Sequence, residues 1–385
     1  LQKFKFIEFF AGGGMARAGL GFRWDCVLAN DFDPKKGKAY VENWGHEHFY
    51  LGDVWQLPEE KLRSAEGADL AWASFPCQDL SLAGNQTGLD GQRSGAFWGF
   101  WKQISTMRKS SQHPKLIVLE NVYGALSANG GRDFSAILNT LRDGGYKAGA
   151  LIIDAVHFVP QSRPRLFILA VREEFMLPPR LILSEPLPFW TPVGLATQLR
   201  ELDFTTRKDW ISWRVPFPPT RRQGFADLID DEPTGGVLWH SASETEALLK
   251  MMSPVNLGKI RAAQLAGRKV VGTLYKRTRV HDGERSQRAE VRFDDIAGCL
   301  RTPGGGSSRQ TLVVVEGKTV RTRLISPREA ARLMGLAEEY KLPANYNDAY
   351  KLAGDGVVVP VVRHLAEYIL EPLLAAQCGE LFRVA

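Results

Sequence analysis

Phe4-Lys5-Phe6-Ile7-Glu8-Phe9-Phe10-Ala11-Gly12-Gly13-Gly14 decides the fold, because an apolar run ends there in three glycines. Residues 4–10 read as a buried strand and 16–21 as the helix behind the turn. Glycines at such a junction let the backbone turn tightly and bring a nucleotide-like cofactor close to the helix N-terminus. About 20 residues further on, Asn30-Asp31-Phe32 closes a second apolar run, where an acid can bind a ribose hydroxyl pair. A ligand-free turn could carry the same glycines. A dehydrogenase fingerprint fits less well, since Gly12-Gly13-Gly14 is not G-x-G-x-x-G.

Outward from this turn, residues 25–30, 70–74, 116–120, 148–154 and 166–171 read as further buried strands. Residues 35–43, 95–109 and 133–143 read as helices between them. Alternation of this kind predicts an α/β domain with a parallel sheet over residues 1–172. From Arg172 the texture changes. Pro178, Pro179, Pro186, Pro188, Pro192, Pro216, Pro218 and Pro219 break up any long element and lead into a less regular region. Gly304-Gly305-Gly306-Ser307-Ser308 reads as a flexible turn between short strands. Ser326-Pro327-Arg328-Glu329 has the pattern of a capping box opening a helix over 327–334, which Gly335 stops. A last helix is predicted over 361–376. The expected domains are therefore 1–172, 173–317 and 318–385, with the last helix returning to the first domain.

Composition narrows the function classes. The 385 residues are 44% apolar and 24% charged, as in ordinary globular chains. No apolar run approaches the ~18 residues of a membrane span, and the opening residues lack the apolar core of a signal peptide. Cys26, Cys77, Cys299 and Cys378 show neither pairing nor C-x-x-C spacing, so a reducing cytoplasm and no metal are expected. The net charge of +6 is concentrated: residues 255–310 hold 12 Lys/Arg against 5 Asp/Glu. That segment is either a solvated basic face or one turned to nucleic acid.

Three further stretches carry chemistry. Ser74-Phe75-Pro76-Cys77-Gln78 displays a cysteine at a strand end, with a polar loop over 81–95 behind it, although most lone cysteines are buried hydrophobes. Glu120-Asn121-Val122 closes the strand Leu116-Ile117-Val118-Leu119. Strand ends at the carboxyl edge of a parallel sheet converge on one crevice, so Cys77, Glu120 and the glycine turn can meet there. Gln161-Ser162-Arg163-Pro164-Arg165 places two arginines on one side of an extended chain, suited to a phosphate or a base edge.

In this order the blocks Phe10–Gly14, Pro76-Cys77-Gln78, Glu120-Asn121-Val122, Gln161–Arg165, Arg323–Gly335 and Gly354-Asp355-Gly356-Val357 resemble the DNA cytosine-5 methyltransferase family. The resemblance spans nearly the whole chain except about 172–288. It implies a Rossmann-like S-adenosylmethionine-dependent methyltransferase domain with a smaller, irregular target-recognition domain. Phe10, Gly12 and Gly13 would line the cofactor pocket, Asp31 would bind its ribose and Phe32 would pack on its adenine. Asp53 would bind the adenine amino group, and Val54, Pro76, Ala96, Asp355 and Gly356 would complete the pocket. Cys77 would be the nucleophile, with Glu120, Arg163 and Arg165 as its catalytic companions. Phe75, Gln78, Ser81, Arg163 and Arg165 would contact the target base or its strand.

The implied partner is double-stranded DNA, in a monomeric, cytoplasmic bacterial protein associated with the nucleoid. A separately acting restriction endonuclease is a companion the resemblance allows, and no membrane is involved. The sequence departs from the family pattern in three places. Met15 stands where glycine is usual, and Glu8 where Asp is commoner. Asp355 and Gly356 replace an amide and a small hydroxyl residue. An RNA methyltransferase of the same family and a catalytically dead relative are the rival readings. The basic second domain speaks against the first, and the intact Cys77 and Glu120 blocks against the second.

Overall fold

The computed structural model describes residues 3–76, 95–281, 284–301 and 309–377. Two compact units emerge. The first contains residues 1–154, 164–218 and 359–385, and the second contains 155–163 and 219–358. The chain is thus cut differently from 1–172, 173–317 and 318–385. The proline-rich stretch joins the first unit because its backbone pairs there: Ile211 N donates to the Ala148 carbonyl at 2.9 Å. Gly149 permits that approach, since a Cβ would lie on the Ile211 carbonyl. Residues 318–358 belong with the second unit.

In the first unit, seven strands form one sheet. They are β1 (Phe4–Phe9), β2 (Trp24–Asp31), β3 (Phe49–Leu51), β4 (Leu70–Ala73), β5 (Leu116–Val122), β6 (Tyr146–Asp154) and β7 (Pro164–Arg172). Their spatial order is β3-β2-β1-β4-β5-β7-β6. The neighbours from β3 to β5 run parallel. β7 is antiparallel to both β5 and β6, so the sheet is mixed rather than parallel throughout. Chain length explains this difference. Residues 155–163 are all that join β6 to β7, whereas a parallel crossover needs roughly a dozen residues or more. β3, only three residues long, has too little pattern to be read from sequence.

Helices α1 (Met15–Leu20), α2 (Pro34–Trp44), α3 (Glu59–Ser64), α4 (Ala96–Lys109) and α5 (Arg132–Asp143) follow strands of this sheet. Asp33 caps α2 through Lys35 N, with Pro34 in the first turn, where a missing N–H costs nothing. The last described residues are helical over Val359–Leu365 and Glu371–Gln377, with a π turn at Ala366–Leu370 just ahead of Pro372. They pack on α1, where a Cβ at Gly19 would collide with Val362. Glu371 anchors them further, accepting from Trp24 Nε1 at 3.0 Å and pairing with Arg23 at 3.3 Å.

The second unit holds a four-stranded antiparallel sheet of β8 (Val270–His281), β9 (Glu284–Arg292), β10 (Thr311–Glu316) and β11 (Thr319–Leu324), ordered β11-β10-β8-β9. One face packs under helices Ala242–Lys250 and Pro254–Gln264 through Leu248, Met252, Ile260, Leu274, Ala289 and Val291. The capping box at Ser326 and Glu329 forms and opens the helix Pro327–Arg332, and Gly335 follows it at φ 73°. Glu329 does more than cap. It makes a fully buried two-pronged pair with Arg323, at 2.6 and 2.8 Å, and Arg323 also donates to the Asp230 carbonyl at 2.9 Å.

Candidate active site

The glycine turn sits between β1 and α1 in a strained shape, with positive φ at Phe10 (56°), Gly12 (55°) and Gly14 (78°). A Cβ at Gly12 would meet nothing within 4 Å, so the turn opens onto free space. Two bonds from the end of β2 hold it: Ala11 N to the Asn30 carbonyl at 2.9 Å, and Gly12 N to Asp31 Oδ2 at 2.7 Å. Asp31 Oδ1 accepts from Asp33 N at 2.8 Å. Burial pushes the Asp31 carboxyl up, while the amides of Asp33 and Gly12 and the nearby Lys36 pull it back. Each carboxylate oxygen still has a lone pair to offer. Beside it the Phe32 ring is 68% exposed. A buried acid, an exposed aromatic face and an open glycine turn are groups that could hold a nucleotide-like cofactor.

Sequence reasoning missed the support beneath this turn. Trp44, at the end of α2, donates its indole N–H to the Gly13 carbonyl at 3.0 Å. Its ring also fills the space a Gly14 side chain would need. The Arg17 guanidinium lies over that ring, 5.0 Å from its centroid, and donates to Tyr40 Oη at 3.0 Å. Below them Glu8 is 2% exposed, and burial raises its carboxyl to about 8 against the pull of Arg17. Only the glycine pattern hints at this in sequence, because Trp44 contacts a main-chain carbonyl and belongs to no motif.

Asp53 caps a single 3-10 turn, Val54–Gln56, by accepting from Trp55 N at 3.0 Å. The Val54 carbonyl accepts from Gln103 of α4 at 2.7 Å. Gly99 lets α4 approach this closely, as a Cβ there would lie 2.6 Å from Val54 Cγ1. The start of α4, with Ala96 in its first turn, is thereby fixed against the Asp53–Val54 turn.

At the ends of β4 and β5 the chain is clamped. Asn121 donates to the Phe75 carbonyl at 3.0 Å and accepts from Val122 N. The buried Phe75 ring packs on Phe97. Pro76 is exposed and is the last described residue before Cys77; Cys77, Gln78 and Ser81 lie outside the described residues. Glu120 is 6% exposed, and Arg165 Nε stands 3.3 Å from its Oε1. The structure therefore brings Glu120 and Arg165 together at the edge where Asn121 holds Phe75.

Arg163 has a different setting from the expected twin of Arg165. Its Nη1 donates to the Leu300 carbonyl at 3.0 Å, and its Nη2 to the carbonyls of Gly354 and Gly356 at 2.8 Å each. The Cys299 sulfur lies 3.4 Å away. The side chain is buried in a cage of main-chain oxygens in the second unit, so the two arginines do not grip one group together. Pro164 between them is the first residue of β7, and the two side chains have separate partners. Asp355 ends the helix Tyr346–Asp355 and is exposed, and Gly356 follows with its carbonyl on Arg163.

The sequence profile of the C-5 cytosine-specific DNA methylase family matches residues 4–371. This chain belongs to that family. Its relatives include the Type II methyltransferase M1.ScrFI of Lactococcus lactis subsp. cremoris, 28% identical over 96% of this chain and 79% of the relative. M.HpaII of Haemophilus parainfluenzae is 26% identical over 97% and 90%, and M.HhaI of Haemophilus parahaemolyticus 25% over 95% and 94%. Among solved structures, S. pombe Dnmt2 methyltransferase superposes with a TM-score of 0.59 at 18% identity, covering 96% of this chain and 99% of its own. Entamoeba histolytica EhMeth gives 0.59 at 15%, covering 97% and 99%. At such identities the structures speak for the fold alone, which is that of the methylases. As a C-5 cytosine-specific DNA methylase by family, the protein is an enzyme of the DNA (cytosine-5-)-methyltransferase class.

Proposed function

We propose that the protein methylates carbon 5 of a cytosine at a defined sequence in duplex DNA, through a covalent bond between Cys77 and carbon 6 of a flipped-out base. The observation that carries this reading is the Glu120–Arg165 pair at the strand ends where Asn121 clamps Phe75, two residues ahead of Cys77. Cytosine C5 attacks a methyl donor poorly, but thiolate addition at C6 makes the ring enamine-like and nucleophilic at C5. Cys77 supplies that thiolate, in the positive field of Arg165. Glu120, protonated or sharing a proton, gives that proton to ring N3 and accepts from the exocyclic amine, and Arg165 donates to the O2 carbonyl, so charge building in the adduct meets partners already in place. A base then takes the C5 proton, and the Cys77 sulfur leaves with its electron pair to restore the aromatic ring.

S-adenosylmethionine supplies the methyl group and leaves as S-adenosylhomocysteine. Phe10, Gly12 and Gly13 form the open wall of its site, Asp31 takes the ribose hydroxyls and Phe32 the adenine face. Asp53, Val54, Pro76 and Ala96 border the adenine side. Gln78 and Ser81 contact the extruded nucleotide, since a stacked base offers Cys77 no approach. The irregular region with its basic stretch serves as the target-recognition domain.

Labelled S-adenosylmethionine, offered with duplex DNA and with transfer RNA in parallel, tests the reading. Label on C5 of cytosine at one DNA sequence is expected. Label on transfer RNA alone, or on neither, would overturn it.

A further inference from the structure

β8 is 12 residues long, but β10 pairs only with Val270–Leu274. From Tyr275 to His281 the strand pairs, among the described residues, with β9 alone. The rungs from Tyr275–Glu290 to His281–Glu284 therefore form a two-stranded ribbon that runs on past the sheet. At ~3.4 Å per residue it extends about 20 Å. Alternation assigns its faces. Leu274, Ala289 and Val291 turn toward the helix-covered core, and Tyr275, Arg277, Arg288 and Glu290 turn the other way. Beyond Ala289 even the core-side face becomes polar and exposed, at Thr278 opposite Gln287.

Two features of this ribbon make little sense for a hairpin on its own. A two-stranded ladder without an apolar cover is marginal in water. Arg277 and Arg288, both exposed, also face each other directly across the ladder, where like charges repel. Arg277 is partly oriented, with Nε 3.5 Å from Glu290 and its guanidinium 4.8 Å from the centroid of the Tyr275 ring. That contact fixes the plane of a donor fork at modest cost.

We propose that the β8–β9 ribbon enters the major groove of the DNA substrate and that the Arg277–Arg288 rung reads base edges there. Resting on the duplex-DNA reading above, it names the reading element within the recognition region. The groove is ~12 Å wide and admits a two-stranded ribbon, and its guanine edges match an arginine fork with two acceptors. The opposed positive charges, unfavourable in the free protein, face a polyanion once bound.

Methylated cytosines are mapped over a library of randomised duplexes for the parent protein and for Arg277→Lys and Arg288→Lys. Lysine keeps the charge and removes the fork. The expected result is a loss of preference of about tenfold or more at one base position for at least one variant, with unchanged melting temperature and unchanged salt dependence. Activity reduced evenly across all sequences would make these arginines phosphate contacts, and maps identical to the parent would remove the ribbon from the interface. Either result overturns the proposal. A parent protein that methylates no duplex would instead defeat the DNA reading itself, so the two failures are distinct.

Discussion

Arg165 lies on β7 with its Nε 3.3 Å from the Glu120 carboxylate, while Arg163, two residues earlier, spends its guanidinium on the carbonyls of Leu300, Gly354 and Gly356. The same residue type, in one short stretch, has been given two kinds of work. A guanidinium paired with a carboxylate at a strand end is an oriented charge that a substrate can engage. One enclosed by main-chain oxygens satisfies acceptors that burial would otherwise leave bare, and so holds segments distant in sequence together. The pattern R-x-R cannot separate these roles; only the partners can.

A crossed pair of variants would break or sharpen this contrast. Arg165→Lys keeps the charge and loses the fork, so kcat should fall by about 100-fold while the melting temperature stays close to that of the parent. Arg163→Lys should show the opposite balance. Leaving one or more buried carbonyls unpaired costs about 1–3 kcal/mol each, visible as a lowered denaturation midpoint, with the rate per folded molecule within about tenfold of the parent. A rate collapse in the Arg163 variant at full stability would return that residue to the chemistry.

A smaller effect is expected at the glycine turn. Trp44→Phe retains the ring that packs on Gly14 and Arg17 but deletes the bond to the Gly13 carbonyl. A net bond of about 1 kcal/mol corresponds to a rise of about fivefold in KM for S-adenosylmethionine, with kcat unchanged. An unchanged KM would mean that the turn keeps its shape without the indole N–H.

The contrast also marks what the sequence could convey. The glycine turn, the acid closing β2 and the Glu120 strand end were legible because buried strands announce themselves as apolar runs, and their ends lie at one edge. The sense of β7 was legible in principle from the short 155–163 connection, yet an apolar run looks alike in either direction. Trp44 and Arg163 were not, since each acts on carbonyls, which every residue carries. The domain limits shifted for a similar reason: prolines at 178–219 mark irregular backbone but not what it packs against. The basic excess over 255–310 pointed to an anionic partner, while the ribbon within it depended on a register that only the strand pairing reveals.

The covalent step through Cys77 is tested most directly by trapping. Duplex DNA carrying 5-fluorocytosine at the target position is incubated with the protein and S-adenosylmethionine, then denatured. Because fluorine cannot leave C5 as a proton does, the expected result is a protein–DNA adduct that survives denaturation and vanishes in Cys77→Ser, while that variant still binds the cofactor. Methylation of ordinary cytosine with no trapped adduct, or full activity in Cys77→Ser, would contradict the covalent mechanism.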